Sequence, residues 1–94
     1  MLAIKIPGNL LGGSEEGAVI GRNPERAEYI LNYDEVSREH FRLIFVRDSL
    51  MIEDLGTTNG TLLNGEALIP FQLELLAPGS EITISEMTMT IRQA

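Results

Sequence analysis

Arg22, Ser37, Arg38, Thr58 and Asn59 make a donor-rich set with no carboxylate among them, and the chemistry open to such a set is the holding of an anion. A guanidinium presents a planar fork of N–H donors that matches the oxygens of a phosphate or carboxylate. Ser and Thr hydroxyls and turn amides complete such a cradle around the acceptor oxygens of a phosphate. The set is suited to gripping an anion and not to breaking one. Taken singly, its members have plainer readings. Arg22 and Arg38 read as solvated loop arginines, and His40, beside an apolar run, reads as a histidine bonded to backbone. Asn59-Gly60 and Asn64-Gly65 are turn pairs that supply positive φ. Ser37 with His40 invites a hydrolase reading. A triad, however, needs an orienting acid, an oxyanion hole and a nucleophile on a strained turn. There is no G-x-S-x-G elbow, and Ser-x-x-His keeps both groups on one local loop. The chain is therefore read as a binder and not an enzyme.

Composition narrows the partners. Fourteen acids against seven bases leave a net charge of −7 over 94 residues. That balance disfavours sequence-independent binding to nucleic acid or anionic lipid, where phosphate neutralisation supplies most of the affinity. Five of the seven bases (Arg22, Arg26, Arg38, Arg42 and Arg47) nevertheless lie between positions 22 and 47, together with five acids. An acidic chain thus keeps its arginines together. The absence of Cys excludes a disulfide framework and a thiolate metal site, and a single His excludes a multi-histidine centre. No metal or cofactor is expected. Residues 1–12 lack the basic start and apolar stretch of a signal peptide, and no run approaches a membrane span of roughly 18 apolar residues. A cytoplasmic domain occupying residues 1–94 is the expectation.

The elements that must position these residues are strands. MTMTIR at 87–92 alternates, with Met87, Met89 and Ile91 on one face, and EITIS repeats the pattern through Ile82 and Ile84. FRLIFV at 41–46 is apolar on both faces except at Arg42, which predicts a central strand buried on at least one side. Further candidates are LAIKI (2–6), GAVI (17–20), EYIL (28–31), LMIED (50–54), TLL (61–63) and LELL (73–76), while Asn23–Ala27 offers at most one helical turn. Turn pairs at Pro7-Gly8, Gly12-Gly13, Asn59-Gly60, Asn64-Gly65 and Pro78-Gly79 punctuate them. Short strands at near-regular spacing predict an all-β sandwich or barrel, whose loops carry the working surface.

Order and spacing then point to a family. Gly21-Arg22, AEYILNYDEVSREH at 27–40, LGTTNGT at 55–61, LNG at 63–65 and LxPGSEIxI at 76–84 follow one another over about residues 18–92. In this arrangement the chain resembles the forkhead-associated (FHA) domain family. The resemblance implies a two-sheet β-sandwich of short, mostly antiparallel strands, with loops at one end that recognise phosphothreonine in a partner protein. It implies phosphate contacts from Arg22 and Ser37, with Arg38 and Thr58 adding to them, and a peptide-backbone contact from Asn59. Asn64 would support a neighbouring loop or reach the peptide. His40 would brace the loops, with Gly21 and Gly60 setting backbone geometry. Glu35 sits where some members sense the third residue after the phosphothreonine. Selection for threonine over serine needs a small apolar pocket for the γ-methyl group. Ser80 and Ser85 replace the Asp and Gly common in the family near the last strands, which puts turn geometry in question there. The implied partner is a phosphothreonine protein, a Ser/Thr kinase or its substrate, and the competing reading is a phospho-independent assembly domain on the same fold.

Overall fold

A computed structural model describes residues 17–22, 29–30 and 36–91. The expected strand at 2–6, the helical turn at 23–27, Glu35 and Arg92 lie outside the described residues. Within them the structure is all-β. The strands are β1 (Ala18–Gly21), β2 (Tyr29–Ile30), β3 (Phe41–Val46), β4 (Ser49–Asp54), β5 (Leu62–Leu63), β6 (Glu66–Ala67), β7 (Glu74–Leu75), β8 (Glu81–Ile84) and β9 (Met87–Thr90).

Two sheets form, in the orders β2-β1-β3-β4-β7 and β6-β5-β8-β9. Every pairing is antiparallel except that of β1 with β2, which is parallel. The apolar run FRLIFV is the central strand of the larger sheet, as its composition predicts. Register then fixes which side chains face inward. Ala18, Leu43 and Ile52 stand opposite one another across three strands, and so do Ile20, Phe41 and Asp54. The apolar members of both rows are buried and pack against Ile82, Ile84 and Met89 of the smaller sheet, with Val36 and Leu76 completing the core. Each such side chain contributes roughly 1.5–3 kcal/mol when fully buried. On the opposite face Arg42, the one charge in β3, forms an ion pair with Glu53 directly across the ladder.

The strand ends decide where the loops lie. The last β1 residue paired with β3 is Ile20, opposite Phe41 where β3 begins, and β4 ends at Asp54, which pairs with Phe41 in turn. The segments that follow β1, precede β3 and follow β4 therefore emerge at one end of the sheet. Those segments carry Arg22, Ser37-Arg38 and Thr58-Asn59.

Hairpin turns follow the sequence at one place and depart from it at two. Asn64 and Gly65 both have positive φ (51° and 85°), as Asn-Gly predicts for a two-residue hairpin. Between β3 and β4, Arg47 and Asp48 take the same sign (50° and 66°) without a glycine. Ser85, between β8 and β9, has φ 55°, so the residue standing in place of glycine adopts the conformation that favours glycine.

Candidate functional site

The loops are joined by backbone bonds before any side chain takes part. The Arg22 N–H donates to the Ser37 carbonyl (3.0 Å) and the His40 N–H to the Ile20 carbonyl (2.9 Å). The Leu55 N–H donates to the His40 carbonyl (3.0 Å), which brings in the end of β4. Gly21 permits this closeness. A Cβ there would stand 2.1 Å from the Arg38 carbonyl oxygen and 2.7 Å from its carbon, so any other residue forces the Arg38 segment away.

His40 completes the junction with its ring. The Ser37 N–H donates to Nδ1 (2.9 Å), and Nε2 lies 2.9 Å from the Gly60 carbonyl oxygen. Because Nδ1 accepts, the proton sits on Nε2, which donates to Gly60. The ring is fully buried. Burial lowers its pKa below the ordinary 6.5, against the smaller raising effects of the Gly60 bond and the Asp54 charge. His40 is thus a neutral strut between the loop that carries Ser37 and the loop that carries Asn59.

Asp54 shapes the second of these loops. Its Oδ2 accepts the N–H groups of Gly56 (3.0 Å) and Thr57 (3.2 Å), and its Oδ1 accepts the hydroxyls of Thr57 (2.8 Å) and Thr61 (2.6 Å). Burial pushes the Asp54 carboxyl up, but the Thr61, Thr57 and Gly56 hydrogen bonds outweigh it and hold the pKa below the usual value. The arrangement separates two neighbouring threonines. Thr57 is turned inward onto Asp54, whereas Thr58 and Asn59 are exposed. Gly60 follows at φ 74°, in the left-handed region.

An open depression of about 390 Å³ lies where the first two loops meet, lined by Arg22, Ser37, Arg38 and Glu39. Arg22 and Arg38 are exposed and Ser37 is half-buried. Two guanidinium groups and a serine around a shallow hollow have the donor chemistry that a tetrahedral anion requires. Glu39 adds a carboxylate that the donor set chosen from sequence did not contain. Thr58 and Asn59 do not line the hollow; they stand on the adjoining loop that His40 ties to it. Asn64 is placed differently again. Its Oδ1 accepts the Glu81 N–H (2.9 Å) and its own N–H donates to the Glu81 carbonyl (2.8 Å), so it fastens the β5–β6 turn to β8.

Sequence reasoning passed over Asp54 and Phe71. Asp54 looked like the end of a strand. Its signal was an Asp followed by Gly-Thr two and three residues on, a spacing at which a carboxylate folds back onto the next amides. Phe71 lies against the same loop: a Cβ on Gly56 would stand 2.7 Å from its ring.

Comparison with known proteins identifies the family. The model of the family described as FHA domain matches residues 18–85. The serine/threonine-protein kinase RAD53 of Saccharomyces cerevisiae is 37% identical over 65 residues, which are 68% of this chain and 8% of that kinase. The chain thus spans a small part of that curated relative's length. Among solved structures, the FHA domain of the CT664 protein from Chlamydia trachomatis superposes with a TM-score of 0.71 at 25% identity, covering 82% of this chain and 76% of that one. The N-terminal FHA domain of Rad53p from S. cerevisiae, solved in complex with a phosphothreonine peptide, gives 0.66 at 36% identity over 72% of this chain and 55% of that one. By its sandwich, its loop order and these matches, the chain belongs to the FHA domain family.

Proposed function

We propose that this domain is a non-catalytic reader of phosphothreonine in a partner protein, acting in Ser/Thr kinase signalling within the cytoplasm. The hollow lined by Arg22, Ser37 and Arg38, with its loops fixed by His40, carries this reading. The phosphate, near −2 charge, sits between Arg22 and Arg38 and accepts hydroxyl bonds from Ser37 and Thr58. Asn59, beside Thr58 on an exposed loop, holds the peptide backbone. Asn64 supports the site through Glu81. Glu35 disfavours an acidic residue at the third position after the phosphothreonine. The domain comprises residues 1–94, and its partner is a phosphorylated kinase or kinase substrate.

A phosphothreonine peptide measured against Arg22→Ala and Ser37→Ala tests the assignment. Hydrogen bonds to charged groups contribute roughly 1.5–3 kcal/mol each, so loss of the Arg22 fork reduces affinity by about 100-fold or more. Both variants keep the fold, because neither side chain belongs to the core. Unchanged affinity in both would remove the hollow from the binding account.

A further inference from the structure

Phe71 occupies a place in the fold where a phenylalanine is out of character. The Gln72 N–H donates to the Ile69 carbonyl (3.2 Å), closing a turn with Pro70 second and Phe71 third. Where the third residue of such a turn has positive φ, as in a type II turn, it is ordinarily Gly or Asn. Phe71 adopts φ 62° there and leaves 68% of its surface exposed. The strained residue is held in place by its own N–H, which donates to the carbonyl of Asp54 (2.8 Å). Asp54 is the residue whose carboxylate folds the Gly56–Thr61 loop.

One edge of the ring rests on that loop. A Cβ on Gly56 would stand 2.7 Å and 2.9 Å from the Phe71 Cζ and Cε2, so glycine is what lets the ring lie against the backbone. Thr58 is two residues further along, within about 7 Å of chain. Ile69 and Leu73, on either side of Phe71, are 59% and 36% exposed. An aromatic platform of this kind, fixed to the outside of a ligand loop, adds no core burial of its own.

We propose that Phe71 is the floor of an apolar subsite that receives an apolar side chain of the phosphothreonine peptide, next to the residues seating the phosphate. The proposal rests on the phosphothreonine reading above. The ring lies against Gly56, two residues before Thr58 on the same loop, and this continuity makes the occupant a residue of the same peptide. The phosphate supplies most of the affinity, and the Phe71 subsite supplies choice among phosphorylated sequences.

The test uses peptides with a fixed phosphothreonine and degenerate flanks, bound to the wild-type domain, Phe71→Ala and Phe71→Leu. The wild type selects Leu, Ile, Met, Val or Phe at one flanking position. Phe71→Ala loses that selection and binds the selected peptide roughly tenfold more weakly. It binds the matching peptide with Ala at that position as well as the wild type does. Phe71→Leu retains the preference in weaker form. Equal loss for both peptides in Phe71→Ala would make Phe71 a loop support and overturn the subsite. Absence of apolar selection, selection of Lys or Arg, or selection unchanged in Phe71→Ala would overturn it as well. If the wild type binds no phosphorylated pool, the phosphothreonine reading itself falls and the subsite with it. Binding without apolar selection removes the subsite alone.

Discussion

The His40 ring reaches across twenty residues of chain to the Gly60 carbonyl oxygen, 2.9 Å from Nε2, while its other nitrogen takes the Ser37 N–H. Two loops that meet nowhere in the sequence are thereby set at a fixed separation by a residue that need not touch ligand. The relationship requires one tautomer and a neutral ring.

That requirement gives stability a pH dependence. Burial depresses the folded-state pKa of His40, whereas in the unfolded chain it takes its proton near 6.5. The unfolded state therefore binds more protons as pH falls through that region. The contribution of His40 is complete above about pH 6.5 and is lost as pH falls below it towards the folded-state value. Melting temperatures between pH 8 and pH 5 should decline on the acid side. A His40→Gln variant should be less stable at pH 7.5 and flatter across that interval. A slope equally steep in the variant would assign the effect to another group.

Asp54 should be far less tolerant than its position at a strand end suggests. Its carboxylate accepts bonds from Gly56, Thr57 and Thr61 and is 1% exposed. Asp54→Ala leaves a buried Thr61 hydroxyl without its acceptor and releases the loop that carries Thr58. Each orphaned group costs about 1–3 kcal/mol, so a loss of roughly 3–5 kcal/mol in urea unfolding is expected. Asp54 also has a lowered folded-state pKa, so its contribution holds above about pH 3.8 and disappears as pH falls below it. A loss below 1 kcal/mol would show that the loop is held by something else.

Gly21→Ala separates close approach from backbone freedom. Gly21 has no positive φ, so the 2.1 Å approach of an added Cβ to the Arg38 carbonyl is the whole of its effect. The Ser37–Arg38 segment must shift. Phosphopeptide affinity should drop at least tenfold even where the protein remains folded by circular dichroism. Retention of full affinity would show that the segment yields without moving the hollow.

Ser85→Gly should do the reverse. Ser85 bears φ 55° in the β8–β9 turn, and glycine adopts that conformation without strain. A gain of about 0.5–1 kcal/mol is expected from relief of the left-handed conformation, with phosphopeptide affinity unchanged. Calorimetric melting of the two proteins decides it, and a fall in melting temperature would contradict it.

Most of the framework was legible because its periodicity is simple. FRLIFV, EITI and MTMT became β3, β8 and β9, the last two with the predicted inward faces, and Arg22, Ser37 and Asn59 came to loops at one end of one sheet. Four features were hidden for physical reasons. The β3–β4 turn is made by Arg47-Asp48, a pair with no glycine to announce it, and it is held by the ladder on either side rather than by local preference. β6, Glu66–Ala67, is two exposed residues with no alternation to read. Glu39 lines the hollow beside the two arginines, which follows from the course of the loop rather than from residue type. Asp54 acts through hydrogen bonds spread over seven residues, and a reading by strand pattern does not see them.

The measurement that bears most directly on the central claim is calorimetric titration of the domain with three degenerate peptide pools, phosphothreonine, phosphoserine and unphosphorylated. Micromolar affinity, about 8 kcal/mol, confined to the phosphothreonine pool and lost in Arg22→Ala is the predicted result. Absence of binding to all three pools by a folded sample, or equal binding with and without phosphate, would contradict the account and make this a phospho-independent assembly domain.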